Sequence, residues 1–145
     1  VSMGTPPSID WNSLVAAARE VREHAYAPYS NYRVGAAILG GAGRVYTGCN
    51  VENVSYGLTI CAERSAISAM IADGERIIRA IAIVTDGPVA GSPCGACRQV
   101  LTEFAEDLPI HLASAQAGVM ARTTSLAKLL AEPFRPGMLL TSDKG

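Results

Sequence analysis

With 145 residues, 49% of them hydrophobic and 17% charged, the chain is long enough to bury one core and too apolar to stay disordered. Its 12 basic and 13 acidic residues give a net charge of -1 with no block of like charge, which argues against nucleic acid as a partner. No apolar run approaches the roughly 20 residues that a membrane span needs, and four cysteines in a chain this rich in core residues favour metal or redox work over a disulfide framework.

Residues 8–140 are expected to form a single domain. Residues 1–7 lack the charged and apolar regions of a secretory signal and are expected to be a disordered tail, with a cytoplasmic location as the corresponding expectation. Asp10 is placed to cap a helix in which Trp11, Leu14, Val15, Ala18, Val21 and Ala25 recur at helical spacing, and Pro28 ends it. Residues 34–39 and 44–47 read as a hairpin around Gly40-Gly41-Ala42-Gly43. After an irregular stretch, residues 62–73 read as a helix that is apolar nearly all round, hence buried, and that Gly74 closes.

Residues 77–85 form a buried strand pattern followed by the turn signal Asp86-Gly87-Pro88. A helix from about Gly95 turns Val100, Leu101 and Phe104 inward, residues 110–113 and 119–123 read as strands, and residues 125–131 as a last helix. Alternating helices and strands of this kind imply an α/β fold, a three-layer α/β/α sandwich around a mixed five-stranded sheet.

The chemistry is concentrated in two segments, Cys61-Ala62-Glu63-Arg64 and Pro93-Cys94-Gly95-Ala96-Cys97-Arg98, each opening a helix. Cys94 and Cys97 have the spacing at which two sulfurs reach one ion, and Cys61 could join them if the two helix starts meet. Catalytic zinc keeps one position for water, so three cysteines with a spare acid suit a catalytic site better than a closed structural one. Glu63, two residues after a ligand, stands where a proton carrier for that water has to be. Three thiolates would leave a zinc site at charge -1, and Arg64, on the same side of the helix as Cys61, is placed to compensate. Cys49 reads as structural, since a fourth thiolate would close the site; His24 and His111 lack metal-like spacing.

With these segments stand Ala27-Pro28-Tyr29-Ser30, Val34-Gly35-Ala36-Ala37, Gly48-Cys49-Asn50-Val51-Glu52-Asn53 and Ser92-Pro93-Cys94-Gly95-Ala96-Cys97-Arg98-Gln99-Val100. In this ordered set the sequence resembles the zinc nucleoside and base deaminases, and more narrowly the small homotetrameric cytidine deaminases. The resemblance implies one zinc per chain on Cys61, Cys94 and Cys97, with Arg64 donating to ligand sulfur. It implies hydrolytic deamination of cytidine and 2′-deoxycytidine in pyrimidine salvage, with Glu63 carrying protons from water to N3 and to the leaving amine.

It further implies that Glu52 takes the ribose 3′-hydroxyl, that Asn50 holds ribose, that Tyr56 closes the pocket, and that backbone groups near Ala62 and Ser92 read the base. Tyr32 occupies the place where the family usually carries a stacking phenylalanine, and Phe134 matches an aromatic residue that reaches a neighbouring subunit's site in a homotetramer. A small-molecule nucleoside is the implied partner, with neither nucleic acid nor membrane. A deaminase of a related amine such as blasticidin S shares the zinc and acid residues, and Asn50-x-Glu52 favours a nucleoside over it. A non-catalytic zinc-stabilised module would need a fourth ligand and gives Glu63 no task.

Overall fold

The computed structural model describes residues 8–139. The tail expected at residues 1–7 and the domain end at residue 140 lie outside them. Among the described residues no helix is long and apolar enough to cross a membrane.

Helix α1 (Trp11–Arg22) starts at the expected cap, where Asp10 accepts from the Ser13 amide at 3.1 Å and from the Ser13 hydroxyl at 2.7 Å. Its periodicity predicts continuation to Ala25, but the helix stops at Arg22. The reason is a competing partner: Tyr26 N donates to Asn50 O at 3.0 Å and Glu52 N returns to Tyr26 O at 2.8 Å, so the chain leaves the helix to pair with the segment after β2.

Strand β1 (Val34–Gly40) and strand β2 (Val45–Cys49) form the expected hairpin, with Gly43 at φ 91° in the turn. Next come α2 (Ala62–Ala72), β3 (Ile78–Thr85), α3 (Gly95–Thr102), β4 (Pro109–Ser114), β5 (Arg122–Ser125) and α4 (Leu126–Leu129). The sheet order is β2-β1-β3-β4-β5, parallel between β3 and β4 and antiparallel elsewhere, as a mixed five-stranded sheet requires.

The last two elements depart from their expected bounds. Ala115 N donates to Thr85 O at 2.8 Å, so the chain follows β3 beyond the end of β4 before turning, and β5 starts at Arg122 instead of Val119. Helix α4 starts one residue later than expected, with Ser125 as its cap and not its first residue, and ends at Leu129; Pro133 lies just downstream, and Glu132 takes the left-handed conformation at φ 49°.

Side-chain size divides the two faces of the sheet. Ala37, Ala80, Ala82, Val84 and Ala113 meet Leu14 and Ala18 of α1, while Ile38, Ile81, Ile83, Ile110 and Leu112 meet Met70, Leu101 and Leu126 on the other side. The small face lets α1 come within backbone contact, for a Cβ on Gly35 would fall 1.9 Å from Ala18 O. Helix α2 is buried through Ala62, Glu63, Ala66, Ile67 and Met70, whereas Ser68, Ala69 and Ala72 are exposed, so burial on all sides is corrected to burial on one. Its outer positions carry small side chains that read as apolar without requiring a core.

Arg22, 7% exposed, closes the α1 side of the sheet by pairing with Asp86 through Nε at 2.8 Å and a terminal nitrogen at 2.7 Å. Burial alone would raise the Asp86 carboxyl, but the Arg33 amide and the Arg22 and Arg33 guanidiniums more than offset it and hold it below the ordinary carboxylate range. A depressed carboxyl contributes stability above its unfolded pKa and loses it as pH falls through the folded one. Asp86→Asn should therefore cost about 2 kcal/mol near neutrality, because the buried Arg22 then keeps only the exposed Glu23 carboxylate as counter-charge. The gap from wild type in urea denaturation should narrow below about pH 4.

Candidate active site

Cys61 is the N-cap of α2 and Cys94 the N-cap of α3, with Cys97 in the first turn of α3. Both helix starts lie on one side of the sheet, and the three sulfurs lie within 4.8 Å of one another. Cys61 and Cys94 sulfurs are 3.7 Å apart. Two sulfurs on a tetrahedral zinc at about 2.3 Å would stand about 3.8 Å apart, so the donor set fits that ion in type and spacing. Cys49 at the end of β2 is outside this group, and burial pushes its thiol pKa up, as a packed structural cysteine requires.

The electrostatics of the three thiols are uneven. Hydrogen bonding from Cys97, then from Arg64 and Cys94, holds Cys61 down to about 5, whereas Cys97 is pushed up by its bond to Cys61, by burial and by the Glu63 charge. Arg64 donates to Cys61 sulfur and to Thr59 O, each at 3.5 Å. Among the described residues its Nε is the buried side-chain nitrogen without a hydrogen-bond partner. A guanidinium held against the sulfurs with a donor to spare suits an anionic thiolate cluster.

Glu63 is 4% exposed, and Cys97 donates to its Oε2 at 3.6 Å. Burial raises its pKa, which moves a carboxyl toward the range where it can both take and give a proton near neutrality. The segment before Cys94 is fixed from outside: Arg98 donates to Pro93 O and to Leu129 O, both at 2.7 Å.

A cleft of about 220 Å³ opens at Cys61 and Cys94 and is lined as well by Glu63, Ala62, Tyr32 and Asn50. A second, of about 260 Å³, adjoins it at Thr59 and holds Glu52, Tyr56, Tyr29 and Ser30. The structure thus brings together the three cysteines, Glu63, Arg64, Ala62, Asn50 and Tyr32, and sets Glu52 and Tyr56 in the neighbouring cleft. Asn50 is 8% exposed, and its amide spans the Tyr32–Val34 backbone, donating to Tyr32 O and accepting from Val34 N, each at 2.8 Å. Phe134, 55% exposed, lies in neither cleft but in a separate groove beside Gln99 and Arg135.

Thr59 and Thr85 also line the sulfur cleft, and sequence reasoning passed over both. Thr59 carries no local signal. Thr85 has one, as the last residue of a buried strand whose carboxyl end faces the cleft.

A three-layer α/β/α fold with three thiols spaced to hold a metal ion and a buried carboxylate beside them is a frame suited to metal-assisted hydrolysis. A family model described as the cytidine and deoxycytidylate deaminase zinc-binding region matches residues 10–111. The chain belongs to that family of hydrolytic deaminases. A cytidine deaminase of Sporosarcina psychrophila is 45% identical over 129 residues, covering 87% of this chain and 92% of the relative. A cytidine deaminase of Mycobacterium tuberculosis is 50% identical over 97 residues, covering 67% and 73%. The crystal structure of cytidine deaminase from Burkholderia pseudomallei superposes with a TM-score of 0.81 at 46% identity, covering 87% of this chain and all of that one.

Proposed function

We propose that this protein deaminates cytidine and 2′-deoxycytidine hydrolytically, giving uridine or 2′-deoxyuridine and ammonia, with one zinc per chain on Cys61, Cys94 and Cys97. The observation that carries the reading is Glu63, a buried carboxylate lying 3.6 Å from Cys97 sulfur in the lining of the cleft. Zinc bound by the sulfurs would supply Lewis acidity, making water in the cleft acidic enough to ionise near neutral pH.

Glu63 then accepts the proton of the attacking water and delivers it to N3 as the C4–O bond forms. It next transfers the new C4 hydroxyl proton to the amino group, and the C4–N bond breaks to release ammonia. Arg64 offsets the charge of the sulfurs, and the Ala62 backbone and Tyr32 ring hold the base. Glu52 takes the ribose 3′-hydroxyl while Asn50 holds the sugar, with Tyr56 over them. Among the described residues no lysine or arginine lines either cleft, which favours an uncharged nucleoside over a nucleotide phosphate. Phe134, away from both clefts of its own chain, serves a neighbouring subunit in a homotetramer. Pyrimidine salvage in the cytoplasm is the setting that goes with this activity.

The decisive experiment is ammonia release by zinc-loaded protein from cytidine, deoxycytidine, cytosine and blasticidin S, with metal content measured on the same sample. Turnover of the two nucleosides with about one zinc per chain is the expected result. Turnover of blasticidin S alone would reassign the substrate, and zinc binding with no turnover of any of the four would make the site structural.

A further inference from the structure

Ser30 has no task in the chemistry above, yet its hydroxyl is engaged on both sides between the two clefts. Its Oγ donates to Glu52 Oε2 and accepts from Tyr32 N at 3.0 Å. The amides of Ser30 and Tyr29 donate to the other carboxylate oxygen, Oε1, at 3.1 and 2.9 Å. A tight turn makes this convergence available, with Asn31 in the left-handed conformation at φ 56° and its amide bonded to Ala27 O at 3.0 Å.

An ionised carboxylate offers about four acceptor positions. Two on Oε1 are taken by amides and one on Oε2 by Ser30, which leaves a single position, on Oε2, for an incoming hydroxyl. A serine hydroxyl has one proton, so the proton given to Glu52 fixes the hydroxyl's orientation and turns its lone pairs to the Tyr32 amide. The Tyr32 carbonyl is in turn held by Asn50 at 2.8 Å. Ser30 therefore links the carboxylate of one cleft to the backbone that carries the ring of the other.

We propose that Ser30 is a positioning residue that aims the free acceptor of Glu52 and sets the placement of Tyr32 together, so that it governs nucleoside affinity and not the chemical step. The inference rests on the nucleoside deaminase reading. It is tested with zinc-loaded wild type, Ser30→Ala, Ser30→Thr, Glu52→Gln and the Ser30→Ala/Glu52→Gln double variant, by steady-state kinetics on cytidine. Ser30→Ala should raise KM about tenfold with kcat within about twofold, and Ser30→Thr, which keeps the hydroxyl, should stay close to wild type. In the Glu52→Gln background the Ser30→Ala penalty on KM should shrink at least about threefold, because the two side chains act as a unit. An undiminished penalty in that background, or a fall in kcat at constant KM, overturns the assignment. Wild-type protein that releases no ammonia from cytidine overturns the deaminase reading itself, whereas an active wild type with an indistinguishable Ser30→Ala variant overturns only the role of Ser30.

Discussion

Glu63→Gln should lower kcat for cytidine about 10³- to 10⁴-fold while zinc content and thermal midpoint stay at wild-type values. Glutamine matches glutamate in shape, so the packing of this 4% exposed side chain is retained and the Cys97 thiol keeps an acceptor. What is lost is the ability to take a proton from water and return it to N3 and nitrogen. The proton transfers in the proposed cycle all use this one group, which places the expected effect at the upper end for general acid–base catalysis. KM should change little, since the amide still lines the cleft. Stopped-flow turnover with metal analysis on the same preparation checks the outcome, and activity within about tenfold of wild type would place the proton carrier elsewhere.

Gly48→Ala should unfold or loosen the site from beneath. A Cβ there would stand 2.3 Å from Ala66 N, 2.6 Å from Ala62 O and 2.8 Å from the Ser65 carbonyl carbon, all backbone atoms of α2. An ordinary contact needs about 3.5 Å, so the first turns of the helix must retreat by roughly 1 Å or the strand must bend. Overpacking of this kind costs about 3 kcal/mol or more, read as a lower urea midpoint. Cys61, Glu63 and Arg64 ride on that part of α2, whereas Cys94 and Cys97 are fixed by α3. Zinc affinity, measured by competition with a chromogenic chelator, should therefore fall about tenfold or more along with stability. A wild-type midpoint with full zinc affinity would mean that α2 does not rest on β2 as the geometry requires.

Much of the site is legible in the sequence because its parts depend on local rules. Cysteines at helix starts, a carboxylate two residues on and an arginine three residues on are set by helical geometry once the helix is recognised, and the structure gathers them at one point. The sheet is legible for a similar reason, since hydrophobic runs bounded by glycine and proline mark β1 and β3 within about a residue.

Failures arise where a distant partner outcompetes the local signal. Helix α1 loses its last turn to the backbone of Asn50 and Glu52, and β5 shifts because residue 115 remains bonded to β3. Asn50 and Glu52 alternate in sequence in a way that suggests two side chains sharing one task. Beyond any such task, Asn50 braces the Tyr32–Val34 backbone in the sulfur cleft, and Glu52 is held by the Tyr29–Ser30 turn in the adjoining one. No periodicity encodes which turn a side chain will brace.

The spacing of the sulfur donors also bears on how the chain folds. Cys61 and Cys94 lie 33 positions apart, with all of β3 between them. An ion gripping both would act as a clip across that loop, removing freedom from the unfolded chain much as a covalent cross-link does, and its binding energy would add directly to the folded state. Metal supply would then raise the folded fraction by mass action, and scarcity would leave more of the chain open to proteolysis.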